Sequence, residues 1–157
     1  MNDIRLLLDN VRSTHNVGSI FRTAEAVAVS RIYCLGTTPA PTDRFGRKRK
    51  DVAKVALGAE DMIPWEYVEN KAGIQLVKKL KKEGFQVIAV EQDTKSVDYK
   101  KVKMGNKALI ILGNEVDAVS KDLLKVADII AEIPMKGKKE SLNVSVTAGI
   151  ALFKFIE

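Results

Sequence analysis

This sequence predicts an α/β fold, with a mostly parallel sheet flanked by helices. Two observations lead there. Its candidate strands are short, nearly continuous apolar runs, as expected where both faces of a strand are covered. The segments between them carry apolar residues at helical spacing. At 157 residues, with no internal repeat, low-complexity tract or Pro/Gly-rich linker, residues 1–157 are read as one domain.

The elements follow in order. Ile4–Leu8 is the first buried strand, closing at Asp9-Asn10. Val17, Ile20, Phe21, Ala24, Val27 and Ala28 recur at i, i+3, i+4 and i+7, which is an amphipathic helix, with Asn16 in the N-cap position. Arg31–Leu35 is a second strand, ending at Gly36. A loop over 37–51 carries the basic cluster Arg44, Arg47, Lys48, Arg49 and Lys50. A short helix is expected at Val52–Leu57 with Gly58 as its stop, then a short strand at Met62–Trp65, which Pro64 disfavours. Ala72, Leu76, Val77 and Leu80 form one face of a helix whose other face holds Lys78, Lys79, Lys81 and Lys82. Gln86–Val90, Ala108–Leu112 and Ile129–Ile133 complete the strands. The tail has two readings. Leu142, Val144 and Val146 alternate as in a strand, whereas Val146, Ile150 and Phe153 keep a helix period, and length and small residues lean towards a helix.

Composition excludes several classes. The chain is 46% hydrophobic and 29% charged, unlike a disordered chain. Its longest apolar run, Ala108–Leu112, is far short of the ~20 residues of a membrane span, and MNDIRLLLDN lacks the pattern of a signal peptide. A cytoplasmic protein with no membrane contact is expected. The one cysteine, Cys34, lies in an apolar run and reads as a buried structural thiol. No Cys/His cluster exists, so no metal site is expected. The net charge of +6 favours a polyanionic partner.

In parallel sheets ligands sit beyond the carboxyl ends of the strands, which singles out the turns after Leu8, Leu112 and Ile133. The first holds Asn16-Val17-Gly18-Ser19-Ile20-Phe21-Arg22-Thr23-Ala24. There Arg22 falls on the polar side of the helix, facing the strand ends or a partner, or else pairing with Glu25 on the surface. The second is Gly113-Asn114-Glu115, where Glu115 can hold Asn16 or a backbone N–H, or be a solvated acid. The third runs from Pro134 to Asn143; Ser141 or Asn143 caps the last helix or binds a ligand. The lone histidine, His15, has no evident carboxylate to orient it. No dinucleotide fingerprint, phosphate loop, zinc-protease motif or nucleophile elbow is present.

Together the three turns resemble the three motifs of the SPOUT methyltransferases, in the TrmH/SpoU branch of RNA ribose 2′-O-methyltransferases. The segments are Asn16-x-Gly18-x-x-x-Arg22-Thr23-Ala24, then Leu112-Gly113-Asn114-Glu115, then Ile133-Pro134-Met135 followed by Ser141-Leu142-Asn143-Val144-Ser145-Val146. The resemblance runs nearly end to end. It implies a C-terminal deep trefoil knot, a helical tail, a homodimer whose active site is completed across the interface, and S-adenosylmethionine as cofactor. It places Gly113, Ile133 and Leu142 around that cofactor, mainly through backbone groups. It makes Arg22 the catalytic arginine, supported by Asn16, Glu115, Ser141 and Asn143. The implied substrate is tRNA or rRNA, with Arg44, Arg47, Lys48, Arg49 and Lys50 on its phosphates, aided by Lys136, Lys138 and Lys139. A catalytically silent knotted RNA-binding protein is the alternative. The family often has glycine where this chain has Val116 and Ala118 after the second motif, and Ala28 after the first helix. Positive φ at Ala118 would cost roughly 1 kcal/mol or more. The separate N-terminal RNA-binding domain that many relatives carry is not expected here.

Overall fold

The computed structural model describes residues 2–157. Along them the chain forms β1 (Asp3–Asp9), α1 (Thr14–Ala26), β2 (Arg31–Leu35), α2 (Lys50–Ala56), α3 (Ala59–Met62), β3 (Trp65–Val68) and α4 (Gly73–Lys82). It continues with β4 (Gln86–Val90), β5 (Val97–Asp98), β6 (Lys107–Gly113), α5 (Lys121–Val126), β7 (Ile129–Glu132) and α6 (Val144–Phe155). The described strands make one seven-stranded sheet in the order β3-β2-β1-β6-β4-β7-β5, with every pairing parallel.

The apolar runs are explained by burial on both faces. Leu6, Leu8, Ile110 and Leu112 belong to one core cluster, together with Val17, Ile20, Phe21 and Ala24 of α1 and Ala148, Ala151 and Leu152 of α6. Leu7, Leu109 and Ile111 point the other way, into a second cluster with Val77 and Leu80 of α4 and Leu123 of α5. Each fully buried Leu or Ile contributes roughly 1.5–3 kcal/mol, so the central strands β1 and β6 anchor the domain. Cys34 is buried in the first cluster. Burial pushes its thiol up to about 12, so at neutral pH it should react with an aromatic disulfide reagent only after denaturation.

Several expectations are corrected. Asn16 is not the N-cap of α1; Ser13 is, and its Oγ accepts from the Asn16 N–H at 3.1 Å. The helix begins a turn earlier than the apolar pattern shows, which leaves Asn16 inside it and buried. The strand expected at Met62–Trp65 starts only at Trp65, after Pro64, because Ala59–Met62 forms the single turn α3. The short elements β5 and α5 were not anticipated. The tail is helical: Asn143 caps α6, accepting from the Ser145 N–H at 2.8 Å and from its Oγ at 2.6 Å.

The alanines standing where glycine is common adopt the backbone that glycine favours. Ala28 has φ +57° and Ala118 φ +58°. Ala28 lies just past the C-cap of α1, with its N–H on the Glu25 carbonyl and the next N–H, of Val29, on the Ala24 carbonyl. The left-handed conformation costs an L-residue about 1–2 kcal/mol, and glycine's looser unfolded chain returns part of that. Ala28→Gly should therefore stabilise the fold by about 0.5–1 kcal/mol, read as a raised urea midpoint at unchanged slope.

Gly18 of the first turn serves packing between helices. A Cβ there would stand 2.7 Å from the Val52 carbonyl oxygen and 2.9 Å from the Val55 Cβ, so its absence lets α1 and α2 touch.

Candidate active site

The register brings strand ends to one edge. Asp9 pairs with Leu35 and Gly113, Leu112 with Val90, and Val90 with Ala131. Beyond that edge the three singled-out turns meet.

Glu115 ties them. Its Oε1 accepts from Nδ2 of Asn16 in the first turn at 3.4 Å, and from the backbone N–H of Val144, the first residue of α6, at 3.2 Å. Asn143 Nδ2 donates to Asn16 Oδ1 at 3.1 Å, closing the network. Both readings of Glu115, holding Asn16 and holding a backbone N–H, are realised together. A carboxylate at a helix N-terminus also meets the positive end of the helix dipole, worth about 0.3–1 kcal/mol. Asn16 is 8% exposed and spends both ends of its amide on the other two turns.

The turn after β6 is built for close approach. The Asn114 Oδ1 accepts from the N–H groups of Val116 and Asp117, its Nδ2 donates to the Asn10 carbonyl, and the Ala118 N–H returns to the Asn114 carbonyl. The turn folds back so tightly that a Cβ on Gly113 would overlap the carbonyl of Ala118 and the nitrogen of Val119. Gly113 is needed here for close approach, since its φ is not positive. Two acids pin the far end: Asp9, 2% exposed, accepts from the Ser120 N–H at 2.7 Å, and Glu91 accepts from the Val119 N–H at 3.1 Å.

A cleft of about 560 Å³, open mouth included, lies among these turns, lined by Gly113, Glu115, Ala118, Ile133, Ser141 and Leu142 with neighbours from 90–92, 135, 144 and 147. The backbone groups of Ile133, Met135 and Leu142 form no hydrogen bond with any described residue, so they are available to a ligand edge. This donor set fits S-adenosylmethionine: peptide N–H and C=O groups for a purine edge, an apolar wall from Ile133 and Leu142, and the carboxylates of Glu91 and Glu115 beside a cationic centre.

Gly113, Glu115, Ile133, Ser141 and Leu142 thus share the cleft, with Asn16 tied to Glu115 behind it and Asn143 tied to Asn16. Arg22 is not brought there. It is exposed on α1, six residues beyond Asn16, makes no ion pair among the described residues and does not pair with Glu25. At 1.5 Å per residue it stands about 9 Å further along the helix axis. In the basic loop, Arg44 and Lys50 are exposed without an ion pair. Arg47 pairs with Asp43 at 2.8 Å, and Lys48 with Glu60 at 3.2 Å and Asp61 at 3.0 Å. Arg49 is half-buried. The residues missed were Glu91 and its neighbours after β4. The same strand-end rule, applied to β4 as well, points to them.

A parallel α/β sheet with a cleft at its carboxyl edge, lined in part by free peptide groups, defines the α/β class of ligand-binding folds. The SpoU rRNA Methylase family model matches residues 3–153, and the chain belongs to that family. It is 32% identical over 152 residues to the tRNA (guanosine(18)-2′-O)-methyltransferase of Aquifex aeolicus, covering 97% of this chain and 68% of that protein. It is 33% identical over 147 residues to the 23S rRNA (guanosine-2′-O-)-methyltransferase RlmB of Neisseria meningitidis, covering 94% and 55%. Among solved structures, the A. aeolicus TrmH/SpoU tRNA modifying enzyme superposes with a TM-score of 0.84 at 30% identity, over 98% of this chain and 74% of that one. The AdoMet-bound rRNA methyltransferase from Sinorhizobium meliloti gives 0.84 at 29% identity, over 98% and 56%. The chain spans 68% and 55% of the two curated relatives' lengths.

Proposed function

We propose that this chain transfers a methyl group from S-adenosylmethionine to a ribose 2′-hydroxyl of tRNA or rRNA. The observation that carries the proposal is the Glu115 network, which holds three strand-end turns around one cleft through Asn16 and the Val144 N–H. When bound, S-adenosylmethionine supplies a methyl group already activated on a positively charged sulfur. What the protein must add is alignment, water exclusion and a place for the hydroxyl's charge.

Gly113, Ile133 and Leu142 take the cofactor through backbone groups, and Glu115 and Asn16 keep their turns from drifting. Ser141 sets the cleft mouth where the ribose enters, and Asn143 steadies Asn16 behind it. Arg22 binds the adjoining phosphate and stabilises charge on the 2′-oxygen. Its guanidinium stays protonated, so electrostatic stabilisation suits it better than proton abstraction.

Arg22 reaches a cleft in a homodimer, whose two-fold sets α1 of one protomer beside the partner's site. The outward side of α6 supports this, with Val146 48% and Phe153 53% exposed on a helix that is apolar all round. The same reading carries the trefoil knot, with 133–143 threaded past the turns at 91–92 and 113–118; Gln92 Nε2 donates to the Glu140 carbonyl along this path. No described helix is long and apolar enough to cross a membrane; a cytoplasmic location is part of the proposal.

The test is transfer of labelled methyl from S-adenosylmethionine to total tRNA and rRNA, followed by digestion to nucleosides. Label in 2′-O-methylnucleosides is expected. Label on the bases, or none on either RNA pool, overturns the reading.

A further inference from the structure

A second depression lies beside the cleft, between the β2–α2 loop and the edge strand β3. It is a groove of about 1050 Å³, and Arg12, Thr37, Arg44, Arg49, Trp65 and Tyr67 stand on its walls. Trp65 and Tyr67 are two residues apart on β3 and so share one face of the strand. Trp65 packs its inner side on the core, while Tyr67 is 51% exposed.

Two of the groove's three arginines, Arg44 and Arg49, have no carboxylate partner among the described residues, though Arg44 stacks on the Phe45 ring at 4.8 Å. The Nε of Arg49 is buried with no hydrogen-bond partner among those residues. The carboxylate on the wall, Asp43, is already occupied by the N–H groups of Phe45 and Arg47 and by the Arg47 guanidinium. Arg12 is held only by an exposed pair with Asp117, at 2.9 Å, which a phosphate can displace.

Shared lining residues link the groove to the candidate active site. A smaller recess is lined by Arg12, Asn16, Glu115 and Val144. It shares Arg12 with the groove, and Glu115 and Val144 with the cleft.

We propose that this groove binds one unpaired ribonucleotide neighbouring the methylated position, its base stacked on Tyr67 and Trp65 and its phosphates on Arg12, Arg44 and Arg49. Exposed aromatic faces are reached only by bases out of a helix, and guanidinium groups suit phosphate oxygens. The site therefore selects single-stranded or looped RNA. This rests on the RNA-methyltransferase reading above and adds a flanking-nucleotide subsite to it.

Trp65 is the only tryptophan of the chain, so its emission reports on the groove. The full chain is titrated with a heptauridylate, with an abasic heptamer of equal charge and with a blunt RNA duplex. Binding is followed by anisotropy of the labelled RNA and, separately, by Trp65 fluorescence with unlabelled RNA. Heptauridylate is expected to quench Trp65 with the midpoint seen by anisotropy. The abasic heptamer should bind about tenfold more weakly without quenching, and the duplex should not quench. Tyr67→Ala should weaken heptauridylate binding about tenfold and leave the abasic heptamer unchanged. Its unchanged S-adenosylhomocysteine affinity would show that the variant is folded. Arg44→Gln should weaken both heptamers alike and lower the salt slope by about one. Anisotropy binding with constant Trp65 emission, equal affinity for heptauridylate and abasic RNA, or full affinity in Tyr67→Ala overturns the subsite while leaving the methyltransferase reading standing. A chain that binds none of these RNAs and methylates no tRNA or rRNA overturns both.

Discussion

Gly113→Ala should abolish S-adenosylmethionine binding and lower stability by about 1–3 kcal/mol, the range for overpacking. The atoms that an added Cβ would overlap are backbone, the Ala118 carbonyl and the Val119 nitrogen, so no side-chain rotation relieves the clash. The turn at 114–118 must move, and it is pinned on every side. The Asn114 side chain caps it, Asp9 holds the Ser120 N–H, Glu91 holds the Val119 N–H, and Glu115 reaches the first residue of α6. Any shift in the turn therefore breaks contacts to the first and third turns. The cofactor's seat should be lost before the fold is. Denaturant unfolding, together with titration of S-adenosylhomocysteine at a temperature where the variant is folded, separates the two effects. Wild-type affinity in this variant would mean that the turn after β6 is not part of the cofactor site.

Arg22→Ala should have the opposite signature. Arg22 is exposed, lies off the cleft of its own chain and has no structural ion pair among the described residues. Its removal should leave stability within ~0.5 kcal/mol, as for surface substitutions generally. S-adenosylhomocysteine affinity should change by no more than about twofold. Turnover should fall about 10²–10³-fold or more, the loss typical of removing one preorganised donor to a developing oxyanion. Arg22→Lys keeps the charge but not the planar fork and should recover only part of the rate. Mixing Arg22→Ala with a cofactor-site variant tests action across the proposed dimer. Activity that returns in the mixture, where each variant alone is inactive, requires the arginine to serve a partner's cleft. A variant that turns over at the normal rate removes Arg22 from the mechanism.

How far the sequence carries the fold follows from the length and covering of each element. Ile4–Leu8 and Ala108–Leu112 are legible because both faces of β1 and β6 are buried, so only the half-buried Arg5 interrupts either run. Two-residue β5, one-turn α3 and six-residue α5 are too short to show a period and are set by their neighbours. The tail is ambiguous because Asn143, Ser145 and Thr147 alternate with Leu142, Val144 and Val146 across the first turn of α6, while the rest of the helix is almost wholly apolar and shows no polar face. Val144 is buried in the helix, Val146 is exposed on it and Leu142 lies outside it, lining the cleft.

The site is legible through its polar turn residues and illegible through the peptide groups that line its cleft. Asn16, Glu115 and Asn143 act by side chain and carry a recognisable pattern. Ile133 and Leu142 offer peptide groups, which any residue could supply, so only the resemblance to a family placed them. The cap at Ser13 was hidden because Asn16, three residues on, is an equally good capping type. Burial, which sequence does not display, decides between them.

The central claim is that the three strand-end turns seat a methyl donor. Calorimetric titration of S-adenosylhomocysteine into the protein tests it most directly. One molecule bound per chain at micromolar affinity, retained in Arg22→Ala and lost in Gly113→Ala, is the predicted result. No heat at high micromolar concentration, or the same binding in Gly113→Ala as in the parent, would contradict it.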